Sequence, residues 1–236
     1  MKIASLTLCL LGIVAAVPAL AADASFATPA QTHVTQILPS PPLPDSELTK
    51  AELVQLHQLQ ATRSAADVAR AVADDQEETM FIYRDVLGPK FDAAALPLTA
   101  AFSARVKHEE GVNTLPAKSE FHRMRPYNLD KTLTPVCKTK TKDDSYPSGH
   151  TTAGYLAALA LIEMVPEKRD AILARAADYG NNRLVCGVHF PSDVQASKLL
   201  AYAVHAVMDT DPRYTQEMHA ARAELRRALA LPPMAD

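Results

Sequence analysis

Asn182-Arg183-Leu184-Val185-Cys186-Gly187-Val188-His189-Phe190-Pro191-Ser192-Asp193 joins two strongly periodic segments, and reading it as helix end, connection and helix start sets the fold class. Upstream, after Pro166, residues Ile172, Leu173, Ala176 and Tyr179 recur on one side of a helix that ends near Arg183. Downstream, Pro191 or Ser192 opens a helix to about Met208, apolar at Val194, Leu199, Leu200, Ala203 and Val207, which puts Asp193 in its first turn. The connection between them carries His189.

The same period recurs outward. Thr49 with Glu52 fits a capping box ahead of Leu53, Leu56 and Leu59. Ser64 with Asp67 opens a second helix carrying Val68 and Val72, and a third runs from about Asp75 to Gly88-Pro89. Pro97 starts a helix that Gly111 terminates, and a separate short helix follows Thr114 and ends at Pro126. Residues 153–165 form an apolar helix, and an amphipathic one spans about 212–229. No segment alternates apolar and polar residues long enough for a sheet, so the expected fold is all-α, a single-domain helical bundle.

The chain has 236 residues, 48% hydrophobic and 22% charged, enough for one sizeable core. Lys2, the apolar run to Val17 and Ala19-Leu20-Ala21 predict a cleaved export signal at residues 1–21. Residues 22–44, with Pro39, Pro41, Pro42 and Pro44, read as an extended Pro-rich arm before a helical domain at 45–236. Cleavage leaves 23 basic and 27 acidic residues, a net −4, so nucleic acid is not an expected partner. No membrane span is expected after the signal. Cys137 and Cys186 then remain as a pair, and an oxidising compartment favours a disulfide between them over two reduced thiols.

Three stretches carry chemistry. In 182–193, Arg183 offers a guanidinium, and Asp193 can orient His189; by themselves these are also two polar residues on one helix face. In Lys118-Ser119-Glu120-Phe121-His122-Arg123-Met124-Arg125-Pro126, Lys118 and Arg125 are seven apart, about two turns, so both cations would leave one side of a helix. In Ser145-Tyr146-Pro147-Ser148-Gly149-His150-Thr151-Thr152, a turn feeds a helix N-terminus whose free N–H groups suit phosphate. There Gly149 clears the approach, Ser148 adds a hydroxyl and His150 a proton. The plainer reading makes Ser148 or Thr151 an ordinary cap. Jointly the stretches suit in-line phosphoryl transfer: His189, held by Asp193, attacks phosphorus, and His150 protonates the leaving alkoxide and then activates water. No metal-ligand spacing is present, and no cofactor is expected.

Lys118, six residues, Arg125-Pro126; Pro147-Ser148-Gly149-His150; and Arg183, five residues, His189, three residues, Asp193 together resemble the signature of the type 2 phosphatidic acid phosphatase (PAP2)/vanadium haloperoxidase superfamily. With Ser145-Tyr146 before the central motif, the chain is similar to the bacterial class A nonspecific acid phosphatases. That resemblance implies a PAP2-type helical bundle, a periplasmic homodimer, an acidic optimum, metal independence and broad phosphomonoester substrates, with phosphate or vanadate as site ligands. It assigns His189 as nucleophile, Asp193 as its partner and His150 as acid. Lys118, Arg125, Ser148, Gly149 and Arg183 become phosphate ligands, and Glu109 or Glu110 is left unassigned near the leaving group. Asn182 departs from the family pattern, which has Ser there, and implies an altered rate or inhibitor affinity. The rival readings are a vanadate-dependent haloperoxidase-like enzyme and a noncatalytic anion-binding protein. Phosphotransfer to alcohols accompanies the phosphatase reading.

Overall fold

A helix that is apolar on nearly every side needs protein all around it, and the one following Ser148 obtains it. The computed structural model describes residues 25–140 and 143–234, so the expected export signal lies outside the described residues. In chain order the elements are α1 (Pro29–Thr32), α2 (Val34–Ile37), α3 (Glu47–Thr62) and α4 (Ala65–Asp75), then a 3₁₀ turn at Met80–Tyr83 and α5 (Arg84–Leu87). They continue with α6 (Pro97–Phe121), α7 (Pro126–Leu129) and α8 (Gly149–Met164). A second 3₁₀ turn at Pro166–Lys168 precedes α9 (Arg169–Val185), α10 (Pro191–Met208) and α11 (Pro212–Ala228). Every regular element among the described residues is helical.

Helix α8 is the hub. Leu156, Ala157, Ala158, Ala160 and Leu161 are buried, and α6, α9, α10 and α11 all pack on it. Small side chains let the neighbours come close: a Cβ at Gly154 would stand 2.6 Å from the Tyr179 ring on α9. Around this hub Phe102, Met164, Tyr179, Leu200, Tyr214 and Leu225 close one continuous core.

Four sequence expectations change. Residues 25–44 are not simply an extended arm but pack against the domain: Phe26, Ala27, Val34 and Leu38 are buried in the main core, and two single-turn helices interrupt the extended path. Phe26 meets Tyr214 edge to face at 5.6 Å, and the Tyr146 hydroxyl donates to the Pro39 carbonyl at 2.6 Å. Glu109 is spent on this segment, accepting from Phe26 N at 2.7 Å and Ser25 Oγ at 2.8 Å. Prolines mark an extended backbone but say nothing about what it lies against.

The expected break at Gly111 does not occur either. Helix α6 runs unbroken through Gly111 and Pro116 because Glu109, Glu110, Asn113, Thr114 and Ala117 are all buried along it. Those contacts outweigh a glycine cost of about 1 kcal/mol and a proline cost of roughly 3 kcal/mol. The third expected helix resolves into α4 ending at Asp75, a gap and the 3₁₀ turn. The first begins three residues early, with Ser46 rather than Thr49 accepting the capping N–H. Ser64 with Asp67 and Pro97 serve as expected.

Candidate active site

The chemistry gathers where α4, α6, α8 and α9 present their ends to one cavity of about 410 Å³. Lys118 is in the last turn of α6; His122, at φ 44°, closes that helix, and Arg125 sits outside it as the N-cap of α7. The two cations therefore do not share a helix face as expected; a chain reversal brings them together. Lys118 Nζ donates to the carbonyls of Asp144 (2.7 Å) and Pro147 (2.6 Å). Arg125 Nε donates to Asp144 Oδ1 at 2.7 Å, and its Nη1 to the Val188 carbonyl at 3.1 Å. Burial, reinforced by Arg125, lowers Lys118 to about 8.

His189 is buried with its two nitrogens facing different worlds. Nε2 lies 3.3 Å from Arg125 Nη1 and opens on the cavity, while Nδ1 lies 3.2 Å from Asp193 Oδ2. A guanidinium can only donate, so Nε2 carries the lone pair and Nδ1 the hydrogen. Burial, then Arg125, Arg183 and Lys118, push His189 well below the ordinary histidine range. The imidazole is thus neutral with a basic nitrogen aimed at the cavity.

Behind it, Asp193 accepts from Arg123 Nη1 (2.6 Å), Ser145 Oγ (2.6 Å) and Phe190 N (2.8 Å), the last closing the first turn of α10. Arg123 also reaches Glu52 at 2.9 Å and lies 4.0 Å over the Phe190 ring. Burial raises the Asp193 carboxyl, and Arg123 with the other donors opposes that rise.

Arg183, in the last turn of α9, pairs through Nη1 with Asp75 Oδ1 at 2.7 Å. Against the raising effect of burial, Arg183 holds Asp75 below its ordinary range. The Arg183 Nε is buried without a hydrogen-bond partner. Such a donor is costly unless something accepts from it. His150 Nε2 faces the Asp75 carbonyl at 3.2 Å and Glu78 Oε1 at 3.4 Å, and burial followed by Arg183 lowers His150 to about 4.

Of the residues singled out in the sequence, Lys118, Arg125, Gly149, His150, Arg183 and His189 line the cavity. Ser148 does not: its buried hydroxyl accepts from Thr151 N and Thr151 Oγ1 and caps α8. Asn182 donates to Asp74 Oδ2 at 2.7 Å, a carboxylate that Arg175 also grips, so it acts on the wall behind Asp75. Cys137 and Cys186 form a disulfide that ties the loop after α7 to the end of α9, beside Arg183.

The sequence pattern of the PAP2 superfamily matches residues 94–216, more than half of the chain. The chain belongs to the PAP2 superfamily. Among relatives of this PAP2 chain, an acid phosphatase of Zymomonas mobilis is 38% identical over 151 residues, covering 62% of this chain and 56% of the relative. A non-specific acid phosphatase of Providencia stuartii is 36% identical over 119 residues, covering 48% and 47%, and one of Salmonella typhimurium 33% identical over 148 residues, covering 61% and 59%. The matches thus span about half the length of these relatives. A transmembrane PAP2-type phosphatidylglycerolphosphate phosphatase from Bacillus subtilis shares the fold, with a TM-score of 0.50 at 16% identity over 70% of this chain and 86% of that one. No helix among the described residues is long and apolar enough to cross a membrane.

Other residues around the cavity were given no role from the sequence. Arg123 stood inside a quoted stretch with no spacing to single it out, and Ser145 served only as part of the family resemblance. Asp75, Glu78 and Asp144 come from a helix end and loops with no motif at all. Glu110 lines the cavity, and its carboxylate lies close against Gly149, where a Cβ would make it shift. Burial and Glu78 raise the Glu110 carboxyl, with Lys118 opposing, and Thr114 Oγ1 donates to it at 3.0 Å.

Proposed function

We propose that the protein is an exported acid phosphatase that hydrolyses small phosphomonoesters, without a metal, through a phosphohistidine. The observation that carries this reading is the pairing of a neutral His189, its Nε2 lone pair facing the cavity, with Arg183, which lines the same cavity and whose buried Nε has no partner. A phosphoryl oxygen would accept from that Nε. Lys118 and Arg125 would neutralise the remaining equatorial charge as it develops in the transition state.

In the first step, His189 Nε2 attacks phosphorus, the N–P bond forms and the P–O bond to the alcohol breaks. The leaving oxygen takes a proton from His150, and Asp193 stabilises the charged ring through Nδ1–H. In the second step, His150 accepts a proton from water, the hydroxide displaces the histidine, and phosphate departs. An alcohol in the place of water gives phosphotransfer. His150 carries its proton only at low pH in the phosphate-free protein, since it is lowered to about 4; a phosphate dianion in the cavity would raise it. An acidic optimum follows. Pairing of Cys137 with Cys186 fits an oxidising compartment such as the periplasm.

The test is phosphate release from p-nitrophenyl phosphate at acidic pH in chelator, with His189→Ala alongside. Turnover by the wild type and a loss of about 10⁴-fold or more in the variant is expected. Equal turnover by both proteins, or turnover that stops in chelator, would end this reading.

A further inference from the structure

At the far end of α8, roughly 20 Å from Gly149 at 1.5 Å per residue, three potential ligand groups meet. Glu163 comes from α8, His205 from α10 and Asp209 from the C-cap of α10, with one ligand atom from each within 4.8 Å of the others. His205 Nε2 lies 3.1 Å from Glu163 Oε1, and its Nδ1 lies 3.5 Å from Asp209 Oδ2. Tyr214 on α11 donates to Glu163 Oε2 at 3.0 Å and stands 3.1 Å from His205 Nε2.

We propose that Glu163, His205 and Asp209 bind a divalent transition cation, zinc above all, which fastens α8 to α10 away from the phosphate cavity. Ligands held at about 2.0–2.1 Å from a tetrahedral zinc lie roughly 3.3 Å apart, so only small side-chain shifts separate the present spacing from a ligand set. One imidazole with two carboxylates suits zinc, whereas magnesium and calcium prefer all-oxygen cages.

The charge balance points the same way. Two adjacent carboxylates against one imidazole leave negative charge that a dication would neutralise. Asp209 is half exposed, giving the ion a way in.

Zinc chloride is titrated calorimetrically into the chelator-treated full chain, and melting is followed with and without the metal. The wild type should take up one zinc per chain and melt higher with it, magnesium should do neither, and phosphatase activity should not require the metal. Asp209→Asn, at an exposed position, should melt like the metal-free wild type and lose zinc affinity at least about tenfold; Glu163→Gln should do the same. No zinc uptake by the wild type, or undiminished uptake by both variants, would overturn the proposal.

Discussion

The two sides of the His189 ring are built on opposite rules. On the Nδ1 side, Asp193, Arg123, Glu52 and Ser145 form a closed network in which each charge meets an opposite one at 2.6–2.9 Å. On the Nε2 side, Lys118, Arg125 and Arg183 line a cavity; Lys118 Nζ and Arg125 donate to Asp144, Pro147 and Val188, whereas Arg183 Nε is buried without an acceptor. All the groups in question are arginines, lysines and acids, so residue type does not separate the two roles. What separates them is access to the cavity, together with one donor, Arg183 Nε, that is left without an acceptor. A saturated network holds a ring still; a buried donor without an acceptor is costly until something accepts from it.

The sharpest way to break the contrast is at Arg123. Arg123→Leu should leave Glu52 and Asp193 as buried, unpaired carboxylates and cost about 3–5 kcal/mol of stability, read from urea denaturation. A loss below about 1 kcal/mol would mean that the network is not closed in the way its distances suggest. On the other side, Arg183→Lys keeps a cation for Asp75 but removes the Nε–H. Stability should change little while kcat/KM falls about 10²-fold. An unchanged kcat/KM would show that the orphan donor has no part in turnover.

Proton equilibria should separate the sides further. His150 is lowered from 6.5 to about 4, so the unfolded chain takes up that proton first as pH falls. The stability this histidine confers in its neutral form is present above about pH 6.5 and is lost progressively toward pH 4. The urea midpoint should therefore drop across that window, and added phosphate should oppose the drop. Lys118, lowered to about 8, should give up its charge above that pH, so phosphate affinity measured by competitive inhibition should weaken there. The smallest effect belongs to Asn182→Ser, which removes the hydrogen bond to Asp74 and reaches Arg183 only through Asp75. A change of a few-fold in kcat/KM is expected, and steady-state kinetics will resolve it.

Much of the helical order could be read in the sequence because capping and period are local. Ser64 with Asp67, Pro97 and Pro191 mark helix starts by satisfying or dispensing with the first N–H groups. Misreadings came where long-range burial overruled a local signal, as at Gly111 and Pro116 inside α6, or where an extended segment carried core residues, as at Phe26 and Val34. In the site, Lys118, Arg125, His150, Arg183 and His189 were legible because their spacing forms a pattern. Ser148 was left between two readings in the sequence, cap or phosphate ligand; in the fold its oxygen accepts from Thr151 and caps α8.

The sequence by itself determined an all-helical chain, the cysteine pair and several of the charged groups that line the cavity. Those follow from period, count and spacing, which are properties of neighbours along the chain. Tertiary structure alone decided which nitrogen of His189 is free, which arginine is spent and which is open, and that Asp75 and Glu110 share the cavity. Each depends on which side chains from α3, α4, α6 and α9 come within hydrogen-bonding reach, and that is fixed by packing around α8.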